Sequence, residues 1–362
     1  MVDDINNTAA DGPADSYAAT VIHSTILSTL LVLIITGNAL LIFAILSTPR
    51  LRTITNCFIV SLAVSDVMVG LVVIPINFAF PTALLKGYTT CIYAACFTVI
   101  VCLSSISNIV AITVDRYLAI TSPLKYHSIM TPRRTVATIV IIWIYAFVVG
   151  FLPVMGWRQT STTCLRGEVY AASYAVFLLM MGLVLPLVIS TTLYCRILRE
   201  ASRHIKQIRQ CEVSTTAGEH IQQIGETVSQ SNAGCGDGGV HPYHNHHHRR
   251  DQTESHHDKG NLKKNRKALR TVMYILVYFE LSWVPLFVTL LIDAFFSPRL
   301  IVLEVRTFIS LLALGNSVMD PFIYGYFNRD IRGRVRQITN KICQCYRRTE
   351  VSPISTISNT GP

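Results

Sequence analysis

Two carboxylates stand among apolar side chains, Asp66 in SLAVSD and Asp320 in SVMD. Asn38 and Ser105 are polar at comparable depth in other apolar runs, and Asn316 in the run of Asp320. An ionisable group in such surroundings is expensive unless it meets a partner, so it marks function by default. Two carboxylates brought together repel unless they share a proton or a cation neutralises them. A sodium ion held by these oxygens suits such a niche; a hydrogen-bonded network with waters and no ion suits it equally. Asp115-Arg116-Tyr117 closes another apolar run with an adjacent acid and base, a pair that hydration can make or break. An arginine there also has a plain alternative, its stem in apolar surroundings and its head in water. Glu280, between Phe279 and Trp283, is a further acid in an apolar run, where it either faces the interior or meets a neighbour's polar group.

Other chemistry is not supported. HPYHNHHHRRDQTESHHDKG (241–260) gathers most of the histidines. A histidine tract can bind metal, but this spacing fixes no geometry. No hydrolase, nucleotide or nucleophile motif is present, and the sequence predicts no enzyme.

The elements that position these residues follow from composition. The chain of 362 residues is 51% hydrophobic and 14% charged, where a soluble domain carries about 25% charged residues. Seven apolar segments lie at about 21–46, 57–80, 91–114, 135–156, 171–195, 269–292 and 303–326. Each is long enough to cross the roughly 30 Å hydrocarbon layer as a helix. Pro75, Pro153, Pro186, Pro285 and Pro321 fall inside them, which membrane helices tolerate when neighbouring groups satisfy the freed carbonyls.

Lys and Arg placement sets the orientation. Only Lys86, Arg158, Arg166, Arg299 and Arg306 fall on the side shared with the N-terminus. The N-terminus is therefore expected outside and the C-terminus in the cytosol. The net charge of +10 reads as a topology signal and an attraction to anionic lipid, not as a nucleic-acid surface. Residues 1–20 form an acidic, polar tail with a glycosylation sequon at Asn6, and no cleavable signal is evident. The unit built from the seven segments spans 21–326, with a polar loop at about 211–262 expected to be disordered. Phe327, Ile331, Val335 and Ile338 then recur as one stripe beside arginines, predicting an interfacial amphipathic helix over 327–342. Residues 343–362 read as a cytosolic tail, where Cys343 and Cys345 are acylation candidates or ordinary thiols. Cys91 and Cys164 both fall on the oxidising side, where a bridge can persist.

Taken in order, these residues resemble the rhodopsin-like G-protein-coupled receptors. The pattern comprises Gly37-Asn38, then Leu62, Ala63 and Asp66, then Cys91 with Asp115-Arg116-Tyr117, then Trp143. It continues with Pro186 and Tyr194, with Phe279, Trp283 and Pro285, and with Asn316, Asp320, Pro321 and Tyr324. NCFIVSLAVSDVMVGLVVIP, AACFTVIVCLSSIS and NSVMDPFIY are similar to adenosine receptors. Asp320 stands where most members have Asn, a variant shared with melanocortin receptors, which lack the cysteine matching Cys91.

The resemblance implies an all-α, seven-transmembrane bundle in the plasma membrane. It implies partners too: an extracellular small ligand, a heterotrimeric G protein, arrestin, receptor kinases and membrane lipids, with no nucleic acid. It also implies a Cys91–Cys164 disulfide and a switch through Asp115, Arg116, Tyr117, Tyr194, Phe279, Trp283, Pro285, Pro321 and Tyr324. The ligand pocket is expected at Thr98, Cys102, Leu178, Gly182, Phe287, Leu290, Ser310 and Arg166, with Glu168, Asp293, Glu304 and Arg306 as a charged rim. Thr98 replaces the acid of amine receptors, and Leu179 joins Leu178 and Gly182 where catechols are read. Leu290, Arg166, Gly167, Ala313 and Leu314 replace the adenosine contacts. Asn265 replaces the acid that commonly holds the span-three arginine. The readings kept beside this one are a receptor for an indole, lipid or peptide, an ion-conducting protein, and a non-signalling membrane binding protein.

Overall fold

A backbone in hydrocarbon must satisfy its own N–H and C=O groups, so each apolar run becomes a helix. The computed structural model describes residues 13–79, 88–158, 170–200, 203, 273–274, 277–296 and 301–350. Seven of its helices are long and apolar enough to cross a membrane: Thr20–Leu46, Ile54–Phe78, Thr89–Thr121, Pro132–Phe151, Ala172–Glu200, Val277–Phe295 and Glu304–Phe327. We call them spans one to seven. No strand occurs among the described residues, only an isolated bridge between Arg158 and Tyr170.

Span three packs along spans two and four, and span one along spans two and seven. The core includes Leu62, Ile92, Ile106 and, from span five, Tyr174, each almost fully buried. Outward residues such as Val140, Ile144 and Val148 are exposed and apolar, as lipid contact requires. Two prolines sit just beyond π-helical turns. Val69–Val73 precedes Pro75, and Ile74 donates five residues back to Val69; Met180–Val184 precedes Pro186, and Leu185 donates back to Met180. A wider turn accommodates the ring and the missing donor.

Several expected boundaries need correction. The first helix begins at Pro13, not 21, with proline in the opening turn where its missing N–H costs nothing. Span three continues to Thr121 and span five to Glu200. Span four ends at Phe151, so Pro153 lies in the turn that follows it and not inside the helix. Gly156 in that turn has φ +120°, a conformation other residues rarely adopt. The tail helix runs Arg329–Glu350 and does not stop at 342. Its stripe is as expected in position: Ile331 and Ile338 are buried, Phe327 and Val335 half-buried.

Candidate functional site

The buried polar cluster begins with a proline. Pro321 has no N–H, so the carbonyl of Ser317, four residues earlier, loses its helical donor. Asn38 Nδ2 donates to that carbonyl at 2.9 Å and to Ile34 O at 3.0 Å. Gly37 makes the approach possible, since a Cβ there would stand 3.0 Å from Pro321 Cγ. The Ser317 hydroxyl in turn donates to Asp66 Oδ1 at 2.7 Å. Asp66 and Asp320, both almost wholly buried, stand close enough to interact directly. Asp66 Oδ2, Asp320 Oδ2, Ser105 Oγ, Asn38 Oδ1 and Asn316 Nδ2 are buried without a partner among the described residues. Buried polar atoms normally find partners, so this group is short of donors and cations.

At the far end of span three, Arg116 donates to Asp115 Oδ2 from Nη2 at 2.7 Å and from Nε at 3.1 Å. Two further donors hold the same carboxylate: Thr55 Oγ1 to Oδ2 at 2.6 Å, and Tyr126 Oη to Oδ1 at 2.7 Å. Tyr126 lies on the short helix Pro123–Ile129 outside the spans. Burial, and then the Asp115 carboxylate, push its phenol up to about 12, so it stays a donor throughout the physiological range. Tyr194 is half-buried, and Tyr324 is buried with its hydroxyl unpartnered.

At the opposite end lies a cavity of about 200 Å³. Six of the expected pocket residues line it: Thr98, Cys102, Leu178, Phe287, Leu290 and Ser310. Gly182 does not. It is buried against Leu103 and Phe287, where a Cβ would meet side chains at 3.2 Å; its smallness serves packing. Arg166, Glu168, Cys164, Asn6 and Asn265 lie outside the described residues, as does the 211–262 loop. The expected rim is partly formed: Asp293 of span six and Arg306 of span seven pair through both carboxylate oxygens, one contact at 2.7 Å, and both line the cavity. Trp283 also lines it, between the tilted rings of Phe279 and Phe287 with centroids at 5.9 and 6.3 Å. Its indole N–H is buried without a partner among the described residues. Ala313 and Leu314 are in the lining, as are Ser105 and Ser317.

Cys91 is disulfide-bonded. Glu280 receives a long contact from Thr191 Oγ1 of span five at 3.5 Å. Cys343 is exposed on the tail helix. Among the described residues no cluster of His, Cys, Asp and Glu suited to a metal occurs. Sequence reasoning missed Ser317, Thr55 and Tyr126. Ser317 had one usable signal, its place four residues before Pro321; the others had none.

A family model described as 7 transmembrane receptor (rhodopsin family) matches residues 37–324. An adenosine receptor A2b from Gallus gallus is 29% identical over 337 residues, covering 86% of either chain. An adenosine receptor A2a from Homo sapiens is 28% identical over 336 residues, 88% of this chain and 72% of the relative. A histamine H2 receptor from Rattus norvegicus is 28% identical over 342 residues, 92% of this chain and 83% of the relative.

Proposed function

The chain belongs to the rhodopsin family of seven-transmembrane receptors and is a G-protein-coupled receptor, and from that premise we propose how it signals. It sits in the plasma membrane with its N-terminus outside. A small extracellular ligand enters the cavity above Trp283, and repacking at Trp283 and Phe279 lets the inner end of span six, which carries Pro285, swing outward. Arg116 then leaves Asp115 and, with Tyr117, Tyr194 and Tyr324, forms the seat for a G-protein tail. Arrestin and receptor kinases meet the same face.

One observation carries this reading. Ser317 lines the cavity and its hydroxyl holds Asp66, so what fills the cavity meets a residue bonded to the buried cluster. A ligand shifts a two-state equilibrium only by its differential affinity for the states. The cluster is where that difference is felt.

The cluster also fits a sodium ion. Asp66, Ser105 and Asp320 offer buried, unpartnered oxygens, the donor set a hard cation takes. These residues would hold the ion, which would supply the positive charge two neighbouring carboxylates require. Cys164 is proposed as the partner of Cys91, Asn6 as a glycosylation site, and Cys343 or Cys345 as an acylation site.

The relatives named for adenosine share the scaffold, but adenosine is not the proposed ligand. Leu290, Ala313 and Leu314 face the cavity, and each ribose hydroxyl left unpaired there costs roughly 1–3 kcal/mol. Membranes carrying the chain should catalyse nucleotide exchange on at least one of a panel of heterotrimeric G proteins. Replacing choline by sodium at constant ionic strength should lower that exchange, and D66N and D320N should each remove the sodium dependence. Exchange equal to that of empty membranes across the panel would overturn the reading.

A further inference from the structure

Two of the residues lining the cavity carry formal charge among those described, and they neutralise each other. The Asp293 and Arg306 side chains are 6% and 17% exposed and meet in a two-point, charge-assisted contact. Such contacts are the strong ones, and breaking one strands a charge away from water. An ammonium ligand would have to take Asp293 from Arg306. A carboxylate ligand would have to share Arg306 with Asp293, placing two negative groups side by side. Asp66 and Asp320 offer no alternative, since Ser105 and Ser317 stand in the lining and the acids do not. A ligand without charge meets none of these costs.

The deep end adds a positive requirement. The pair lies near the end of span six and the start of span seven, and Trp283 stands roughly 15 Å deeper at 1.5 Å per residue. Trp283 is 6% exposed and lines the cavity, and its indole N–H is buried with no acceptor among the described residues. An indole N–H can only donate. Thr98 and Thr289 already donate to their own helix at Ala94 and Leu286, so they present oxygen lone pairs. The walls between are aliphatic, Val99, Leu103 and Leu286 among them.

Resting on the receptor reading above, we infer that the cavity takes an uncharged, mainly apolar ligand bearing a hydrogen-bond acceptor that meets Trp283 Nε1–H. The Asp293–Arg306 pair closes the cavity across spans six and seven and excludes ions of either sign.

The test uses the purified full-length chain and a matched fragment set. Indoles and naphthalenes carry an acetamidoethyl, aminoethyl, carboxyethyl or ethyl side chain: uncharged with an acceptor, cationic, anionic, and uncharged without one. Thermal shift and dissociation constants are read for each. The acetamides should bind at least tenfold more tightly than either charged series. W283F should erase their advantage over the ethyl compounds. D293N should turn the preference toward carboxylates, and R306Q toward amines. The charge-reversed pair D293R/R306D keeps the contact and should restore the uncharged preference even where a single variant folds poorly. Preference for a charged series in the unaltered chain, no binding of any uncharged member, or a charge preference that stays the same in D293N and R306Q would each overturn the inference. Nucleotide exchange on the same preparations keeps the failures apart. Intact exchange with the wrong charge preference removes this inference alone, whereas absent exchange removes the receptor reading.

Discussion

Asp115 has four hydrogen bonds from three side chains: two from Arg116, one from Thr55 and one from Tyr126. The carboxylate is fully buried, and a buried acceptor that loses its donor bears the cost of desolvation. Among the described residues Tyr126 is the sole donor at Oδ1. Y126F keeps the ring and removes that hydrogen bond, and should destabilise the fold by roughly 1–3 kcal/mol. A lowered Tm of the purified protein checks this; an unchanged Tm would show that water replaces the hydroxyl without loss. T55A leaves Oδ2 with Arg116 and should cost less. Because burial and Asp115 raise the Tyr126 phenol to about 12, its proton is retained in the folded state beyond the usual tyrosine range. The stability from this contact is therefore complete below the ordinary value near 10 and is lost only as the pH rises through about 12. No dependence on pH from this hydroxyl is expected near neutrality.

Packing between helices rests on small residues at a few close approaches. Gly150 is the tightest among the described glycines: a Cβ there would stand 2.4 Å from Ile100 Cγ1, and 3.2 Å from both Cys96 O and Ile100 N. The side-chain contact can yield and the backbone contacts cannot, so span four would have to move off span three. G150A should cost roughly 1–3 kcal/mol by overpacking, read as lower surface expression and Tm, and I100A should recover part of it. A G150A protein as stable as the parent would mean that the helices are free to slide. This contact was not legible in the sequence, where Gly150 is one small residue in an apolar run. The spans themselves were legible, because hydropathy over about 20 residues reports a solvent requirement that no tertiary contact overrides. Their ends were not. Beyond the hydrocarbon, helix length depends on propensity and local stops, so span three ran on through its arginine while span four ended ahead of Pro153. The tail helix likewise outlasted its apolar stripe, carried by good helix formers such as Arg, Lys and Gln. The cluster was half legible: an acid or amide in an apolar run announces itself, whereas Ser317 and Thr55 look like ordinary small polar residues that membrane helices carry on any face.

For the whole molecule the question is what keeps the unliganded bundle in its resting arrangement. Arg116 is bonded to Asp115 of its own span, and Asp115 to Thr55 of span two and Tyr126 of the short helix. Among the described residues none of these partners belongs to span six, the element whose inner end must move. The acid that commonly provides that tie is Asn265 in this chain, which lies outside the described residues. An asparagine oxygen can accept hydrogen bonds from a guanidinium but brings no charge. The difference between an ion pair at a partly exposed helix end and a neutral contact is up to about 1 kcal/mol, and 1 kcal/mol is a factor of about 5 in a two-state ratio. The resting state should therefore be held less firmly, and nucleotide exchange without ligand should exceed that of empty membranes. N265E supplies the missing charge to Arg116, whose side chain is 25% exposed and so reachable. It should lower ligand-free exchange by up to about fivefold at matched surface expression, by the same conversion of about 1 kcal/mol. N265Q, alike in length but neutral, should not. High salt should blunt the effect of N265E, since a partly exposed pair is screened. If N265E and N265Q behave alike, span six is restrained by packing and not by charge, and the basal activity of this receptor has another origin.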